Sequence, residues 1–161
     1  MAKDAAKKAG PQTPRLVNKK ARFNFDILEK FEAGLALKGT EVKSLRNSDA
    51  SLNEAFARID KGQMVLFNFQ IQPYKQGNQF NHDPKRPKRL LLHRREIKKL
   101  EAKVVIKGLT IVPLSVYFNS RGLAKVELEL AKGKTHHDKR QDERKKQDKK
   151  DMARATRRGG L

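Results

Sequence analysis

The 161-residue sequence predicts a mainly β fold, a small antiparallel barrel of five strands with two or three helices, between two basic tails. Two observations lead to this prediction. Apolar and polar residues alternate through most of residues 18–131, with turn signals between the alternating runs. Both ends of the chain are charged and poor in large apolar residues. The predicted boundaries are therefore a basic extension over 1–17, a folded domain over 18–131 and a basic tail over 132–161. We expect both tails to be disordered in the free protein.

The first predicted element is a long, half-buried strand in the segment RFNFDILEKFEAGLALKG. Its odd-numbered apolar residues are Phe23, Phe25, Ile27, Phe31, Ala33, Leu35 and Leu37. Only Glu29 interrupts this period of two. Gly34 predicts a bend or bulge, which lets one strand serve two sides of a barrel. The next segment, GTEVKSLRNSDA, predicts a short helix with Thr40 as its N-cap.

A hairpin and a helix are predicted in the middle of the chain. LNEAFARIDKGQMVLFNFQIQP should form a hairpin that turns at residues 60–63. The apolar residues expected to alternate on its return strand are Val65, Phe67, Phe69 and Ile71. A loop then runs to Arg89, after which the sequence follows a helical period up to Gly108. The residues on the apolar face of that helix are Leu90, Ile97, Leu100 and Val104.

The last two predicted strands, LTIVPLSVYF and LAKVELELA, flank the turn NSRG. The residues expected to alternate on the first are Val112, Leu114, Val116 and Phe118, and those on the second are Ala124, Val126, Leu128 and Leu130. A helix between the third and fourth strands of a five-stranded antiparallel set is the layout of an OB-like barrel. That fold often binds nucleic acid, but a fold alone does not establish function.

The distribution of charge points to a polyanionic partner. The formal net charge is +20, and residues 1–22 carry seven Lys and Arg against one acidic residue, while 132–161 carry twelve against five. Within the folded part, 75–99 carry nine against two, and the rest is close to neutral. One basic patch indicates a docking site for nucleic acid or an acidic membrane surface, unless it is only a solvated face. We favour RNA and a cytoplasmic protein because no apolar run could span a membrane and no signal peptide is evident.

The patch mixes cations with flat side chains, as an RNA-binding surface requires. Its cations include Lys85, Arg86, Lys88, Arg89, Arg94 and Arg95, and the interleaved rings are Tyr74, Phe80, His82 and His93. For Tyr74 and Phe80, burial in the core is as good an interpretation as stacking on a base.

Side chains with catalytic chemistry are few. The chain has no cysteine, and its four histidines, His82, His93, His136 and His137, lack the spacing of a zinc site or a catalytic triad. His82 and Asp83 could act as a base and its orienting acid, but NHDPKRPKR favours an Asx turn before Pro84. We therefore predict no enzymatic activity, no catalytic residue, no metal and no cofactor. Two alternatives stay open: an RNA-processing enzyme that uses histidines, and a permanent structural protein of the ribosome.

Four strings of the sequence, in this order, resemble one known family: FEAGLALKGTEVKSLR, NHDPKRPKRLLLHRREI, KGLTIVPLSVYF and GKTHHDKR. The family is small protein B, the tmRNA-binding (SsrA-binding) proteins of bacterial trans-translation, and the resemblance spans about Asn18 to Arg158. It implies an OB-like barrel that binds the tRNA-like domain of tmRNA and delivers it to stalled ribosomes. The implied partners are tmRNA, the small ribosomal subunit and, through aminoacylated tmRNA, elongation factor Tu. We expect no membrane association and a monomer.

The resemblance also implies site residues. The matching positions for RNA contact are Lys20, Arg22, Glu32, Lys43, Arg86, Arg89, Leu91 and His93. The matching tail positions, which would lie at the decoding centre of the ribosome, are Lys134, His137, Asp138, Lys139 and Arg140. The sequence departs from the family at Thr40, where many members have tryptophan, and at His93, where some have asparagine.

The composition of the C-terminal tail predicts a conditional helix. Residues 134–158 contain no Gly or Pro, but Met152 is their only large apolar residue, so a helix there has no face to bury. Asp138 with Gln141 resembles a capping box, and Asp142 with Lys146 forms an i,i+4 pair. These features predict a helix that starts near Lys139 once phosphates neutralise the cations. The resemblance to the family implies that this helix forms on the ribosome and probes the empty mRNA channel. The alternative is a non-specific basic tail that only raises RNA affinity.

Overall fold

A computed structural model of the protein describes residues 14–158. In the part up to residue 133, before the tail helix, β-structure predominates, which confirms the predicted mainly β class. The strands are β1 (Leu16–Val17), β2 (Phe25–Leu35), β3 (Ala50–Ser51), β4 (Phe56–Asp60), β5 (Gln63–Phe67), β6 (Gln70–Ile71), β7 (Lys88–Leu91), β8 (Thr110–Phe118) and β9 (Ala124–Gly133). The α-helices are α1 (Ala21–Asn24), α2 (Gly39–Arg46), α3 (Arg94–Lys107) and α4 (His136–Arg158).

The strands form one large antiparallel sheet and one small one. The large sheet has the order β1-β8-β4-β5-β7-β2-β9, and an additional pairing joins β8 to β9. Six strands, β8, β4, β5, β7, β2 and β9, therefore have hydrogen-bonded neighbours on both sides. β3 and β6 pair separately. The prediction of five strands missed β1, β3 and β7 because segments of two to four residues are too short to show a period. It also joined β5 and β6 into one return strand.

β2 keeps the predicted alternation, but its irregularity lies before the predicted position. Its register against β9 shifts between Ile27 and Glu29. This is where the charge of Glu29 interrupts the apolar period. The shift turns the preceding residues to the other face, so Phe25 and Ile27 pack with Ala21 of α1 in a small second cluster. Phe31 packs against the main core.

Gly34 lies at the point where β2 serves two neighbouring strands. It pairs with Leu91 of β7 on one side and with Lys125 of β9 on the other. A Cβ atom at Gly34 would lie 3.1 Å from the Leu91 Cβ, so glycine permits the close approach of β7. The register irregularity predicted at Gly34 lies instead between Ile27 and Glu29.

The β4–β5 hairpin turns at the predicted residues. Asp60 pairs with Gln63, and the two residues between them, Lys61 and Gly62, have φ angles of 48° and 72°. Two successive residues with positive φ are typical of a type I′ turn, whose twist matches that of the strands.

The predicted buried face of β5 was wrong. Met64 and Leu66 are fully buried, whereas Val65 and Phe67 are half-buried. All residues of 64–67 are apolar, so alternation alone cannot select a face. Asn68, with a φ of 55°, then changes the direction of the chain.

After this change, Phe69 and Ile71 are buried as predicted. On the opposite face of the sheet, Phe67 stacks on Phe56 with ring centroids 5.5 Å apart.

Leu90 belongs to a strand and not to the predicted helix. β7 lies between β5 and β2, and α3 begins only at Arg94. α3 buries Ile97 and Leu100, as predicted, and Gly108 ends it with a φ of 58°.

The sequence predicted one alternating set of apolar residues on β8, but the structure divides that set between two faces. The register against β9 shifts between Pro113 and Ser115. Proline has no N–H for the ladder and is tolerated inside sheets at such irregularities. Val112 and Leu114 consequently pack in the small cluster. Val116 and Phe118 lie in the main core with Val126, Leu128 and Leu130 of β9, for which the prediction is confirmed.

The two ends of the described chain behave differently. Leu16 and Val17, which fall in the predicted N-terminal extension, pair with β8 as β1. The remainder of that extension up to residue 13 lies outside the described residues. At the other end, α4 spans most of the predicted tail. Disorder of the free tail in solution stays a prediction. Circular dichroism tests it by comparing the helix content of the full chain with that of a chain that ends after Lys134.

Candidate nucleic-acid interface

Three predicted RNA-contact residues line one cleft. Glu32 of β2, Leu91 of β7 and His93 before α3 surround a depression of about 430 Å³, together with Gly34 and Lys125. The pairing of Gly34 with Leu91 brings the two strands together at this point. Leu91 is 54% exposed, although it is a large apolar residue. We call this depression, lined by Glu32, Leu91, His93 and Lys125, the Glu32 cleft.

Two side chains fix the carboxylate of Glu32. The Tyr117 hydroxyl donates a hydrogen bond to Oε2, and Lys125 Nζ lies 3.3 Å from Oε1. The hydrogen bond from Tyr117, followed by that from Lys125, lowers the pKa of Glu32, and the same bond raises the pKa of Tyr117 to about 12. Glu32 is therefore ionised at neutral pH. It places an oriented hydrogen-bond acceptor on a basic surface, which suits the amino and imino groups of a base edge.

Tyr117 and Lys125 were missed from the sequence. Both occupy outward positions of strands far from Glu32 in the chain, and only the order β2-β9-β8 brings them to it. No spacing rule for one strand could have found them.

His93 lies where β7 passes into α3. Its backbone N–H donates to Glu96 Oε2 at 2.9 Å, which closes the first turn of α3. Its side chain is exposed at the edge of the Glu32 cleft.

The other predicted RNA contacts lie around or away from this cleft. Arg89 is exposed on β7, and Lys43 is exposed on α2 with Nζ 5.3 Å from the centre of the Tyr74 ring. Lys20 and Arg22 lie at α1, and Arg22 lines a separate depression of about 400 Å³ between β1 and α1. The structure thus does not bring Lys20 and Arg22 to the Glu32 cleft.

Arg86 has a structural partner that the sequence did not reveal. Its Nε and Nη2 donate to the two carboxylate oxygens of Glu41 at 3.1 and 2.6 Å. The Glu41 side chain is fully buried, and that of Arg86 is 28% exposed. Burial raises the pKa of Glu41, but the bonds from Arg86 and the Lys38 amide, with the nearby positive charges, lower it below its ordinary value. A phosphate at Arg86 would have to compete with this pair.

Lys88, counted in the basic patch, is fully buried. Its Nζ donates to the carbonyls of Phe69 at 2.7 Å and Arg86 at 2.9 Å. Burial lowers the pKa of Lys88 to about 8, against the opposing effect of Glu41. Lys88 therefore stabilises the loop before β7 and is not accessible to RNA.

The start of α2 differs from the predicted one. The Lys38 N–H donates to Glu41 Oε2 at 2.6 Å, and the N-cap is Lys38. Thr40 lies inside the first turn, where its hydroxyl bonds to His82 Nδ1 at 2.9 Å. The predicted Thr40 cap was wrong because the extended backbone ends at Lys38, where Glu41, three residues later, accepts from the Lys38 N–H and fixes the start of the helix.

His82 has a structural role. It is 5% exposed, and its Nε2 lies 3.0 Å from the carbonyl of Ile71. Since a carbonyl only accepts, Nε2 carries the proton and Nδ1 accepts from Thr40. Asp83 Oδ1 accepts from the Lys85 N–H at 3.0 Å, which confirms the predicted Asx turn. Both ring nitrogens of His82 are occupied, so this pair is not arranged for acid–base catalysis.

The tail helix begins earlier than predicted. The Thr135 hydroxyl lies 3.3 Å from the Asp138 N–H, and Asp138 Oδ2 accepts from the Thr135 N–H at 3.1 Å. Thr135 is therefore the N-cap of a capping box, and Asp138, the third residue of the helix, is its partner and not the cap itself. The Gln141 amide instead donates to His137 Nε2 at 2.9 Å.

Lys134 joins α4 to the folded body. Its Nζ lies 2.6 Å from Asp142 and 3.4 Å from Asp26 of β2. Asp142 thus pairs with Lys134 and not with Lys146, the predicted partner. The Nζ atoms of Lys139 and Lys146 lie 5.9 and 5.7 Å from the centre of the Phe23 ring. His137 and Arg140 are exposed. The helix therefore touches the body through its first turns only.

Metal sites and membrane spans are both absent from residues 14–158. No three His, Cys, Asp or Glu side chains in that range are grouped to hold a metal ion. No helix in the same range is long and apolar enough to cross a membrane.

The chain is similar to known proteins over most of its length. The model of the SmpB protein family matches residues 15–158. An SsrA-binding protein from Moorella thermoacetica is 54% identical over 140 residues, 87% of this chain and 90% of the relative. One from Desulforudis audaxviator is 53% identical over 147 residues, 91% of this chain and 95% of the relative.

A solved structure described as "tmRNA-SmpB: a journey to the center of the bacterial ribosome" contains a similar chain. It is 50% identical, with a TM-score of 0.65, and the match covers 79% of this chain and 92% of that one.

Proposed function

Because the chain belongs to the SmpB family, we propose that it binds tmRNA and brings it to stalled ribosomes for trans-translation. The relatives are named for SsrA binding, and the similar solved chain is described with tmRNA and the ribosome. The RNA element bound is the tRNA-like domain. The tail probes the decoding centre and the empty mRNA channel.

The observation that carries the proposal is the Glu32 cleft. Residues from β2, β7, the start of α3 and β9 meet there, and the oriented carboxylate of Glu32 lies beside the exposed side chains of Leu91 and His93. Phosphate binding alone needs only cations, whereas this cleft offers an acceptor, an apolar contact and a flat ring. Such a mixture suits recognition of a particular RNA surface.

The strand pairings support an OB-like barrel as the platform. The cycle β8-β4-β5-β7-β2-β9-β8 leaves none of its six strands with a free edge. In chain order, α3 follows the β4–β5 hairpin and β7 and precedes the β8–β9 pair, as expected for that fold.

The tail acts on the ribosome in this proposal. α4 presents the side chains of His137 and Arg140 outward, where they meet ribosomal RNA. Lys139 and Arg140 supply charge next to His137, and Lys134 and Asp138 hold the start of the helix. The protein works as a cytoplasmic monomer, and elongation factor Tu joins it through aminoacylated tmRNA.

Binding is favoured over catalysis. The relatives are named for RNA binding, and the buried, fully bonded His82 is unsuited to act as a base. A permanent ribosomal protein would stay on all translating ribosomes after a high-salt wash. We expect this protein to be released by that wash.

Glu32→Gln is expected to weaken binding to the tRNA-like domain about tenfold, because a hydrogen bond to a charged group contributes roughly 1.5 kcal/mol or more. The substitution raises the net charge, so electrostatics alone predicts tighter binding. Glu54→Gln is a matched control, since Glu54 is exposed and forms no ion pair within the described residues. Titration of labelled RNA measures both. Equal or tighter binding by Glu32→Gln would contradict a contact at Glu32.

A further inference from the structure

A second cleft, next to the Glu32 cleft, is lined by an excess of cations. It has a volume of about 500 Å³ and lies between the β4–β5 turn and the start of α3. Its cations are Lys61, Arg89, Arg94 and Lys98, and its one acidic residue is Glu101. Within residues 14–158, none of the four cations forms an ion pair. All four are exposed. We call this depression the Lys61 cleft.

Two of these cations, Lys61 and Arg94, occupy positions that folding alone does not favour. Lys61 has a φ of 48°, in a turn position that favours Asn or Gly. Arg94 and Arg95 begin α3, where the helix dipole favours acidic residues. Four like charges around one depression also repel each other. An anionic ligand removes this repulsion.

The two clefts adjoin each other. Leu91 and Leu92 line both of them, and Arg89 and Arg94 flank these two residues on the side of the Lys61 cleft. A large ligand that touches Leu91 in the Glu32 cleft can therefore extend past Leu91 and Leu92 to the Lys61 cleft. The ligand must carry repeated negative charge over this path, and an RNA backbone does.

We propose that the Lys61 cleft binds the phosphate backbone of the RNA segment that adjoins the one read at Glu32, with Lys61 and Lys98 as phosphate ligands. This inference rests on the proposed function, because it takes the same tmRNA domain as the ligand. Lys61 and Lys98 contact phosphate only, so they add affinity and fix the position of the RNA without reading its sequence.

The test compares two variants of the full chain that remove charge from different places. Lys61→Gln/Lys98→Gln empties the cleft of two cations. Lys107→Gln removes an exposed cation at the other end of α3, about 13 Å from Lys98 along the helix axis. Binding of the tRNA-like domain is measured over a range of salt concentrations, and thermal unfolding by circular dichroism verifies that both variants fold.

The double variant is expected to lower the slope of log K against log salt by about 0.7 to 0.9 for each phosphate contact removed, and Lys107→Gln to leave it unchanged. An unchanged slope in the double variant, or an equal fall in Lys107→Gln, would overturn the proposal. Failure of the proposed function would look different, because the wild-type protein would then bind the tRNA-like domain no better than an unrelated RNA of equal length.

Discussion

A chain that ends after Lys134 is expected to lose tagging of stalled nascent chains completely and to keep most of its affinity for the tRNA-like domain. Within the described residues, α4 adds nothing to the buried core, and Met152 is 72% exposed. Truncation would remove the ion pair of Asp142 with Lys134 and the packing of Lys139 and Lys146 on the Phe23 ring. Lys134 would keep its ion pair with Asp26. Binding and function should therefore separate.

The measurement is translation of a message without a stop codon in the presence of tmRNA, with the tagged product quantified. A truncated chain that tags normally would contradict a role for the tail. A chain that loses RNA binding together with tagging would place the RNA site on α4.

Arg144 distinguishes a helix from an extended basic strand. It lies inside α4 and is exposed. Arg144→Pro removes the N–H that bonds to the carbonyl of Arg140 and costs about 3 kcal/mol in a helix interior. Arg144→Ala removes the same charge and keeps the helix. We expect the proline variant to tag poorly and the alanine variant to tag normally. Normal tagging by both variants would show that the helix is not required.

Arg86→Ala is expected to lower the free energy of unfolding by about 3 kcal/mol, because it leaves the buried carboxylate of Glu41 without its main partner. Denaturant unfolding measures the loss. Adding Glu41→Gln should recover part of it, since the buried carboxylate charge is then removed, but only part, because buried Lys88 loses the carboxylate that lies 3.9 Å from its Nζ. Arg89→Ala is the control. Arg89 is exposed and in no ion pair of the described chain, so its alanine variant should keep wild-type stability while lowering the salt slope of RNA binding.

The loss of unfolding free energy in Arg86→Ala should depend on pH. In the wild type the pKa of Glu41 lies below its ordinary value of 4.5, so its contribution to stability is present above that pH and is lost in acid. Without Arg86, burial raises the pKa of Glu41. The variant is then penalised most at neutral pH and least after protonation. Wild-type stability in Arg86→Ala, with a reduced salt slope, would instead make Arg86 a phosphate ligand.

Periodicity predicted the long elements of the fold and failed where the chain changes face. Alternation identified β2, the hairpin, β8 and β9, and Gly108 marked the end of α3. The predicted faces of β5 and β8 were wrong for a physical reason. Residues 64–67 are apolar on both faces, and the shift at Pro113 reverses the alternation without changing the pattern of residue types.

Resemblance to the family predicted residues that the structure places together, but not how they are held. Glu32, Leu91 and His93 meet in one cleft. Tyr117, which orients Glu32, comes from another strand. A cation in the sequence also does not reveal its partner. In the sequence, Arg86 and Lys88 belong to the same basic patch as Arg89, yet in the structure both form ion pairs with the buried carboxylate of Glu41.

The identity of the RNA that copurifies with the full chain tests the central claim most directly. The protein is isolated from the bacterium that makes it, and the bound RNA is sequenced and compared with total RNA. We predict that tmRNA is the most enriched species and that Glu32→Gln reduces its enrichment. Enrichment of ribosomal RNA or bulk tRNA, with tmRNA at its cellular share, would contradict the proposed function.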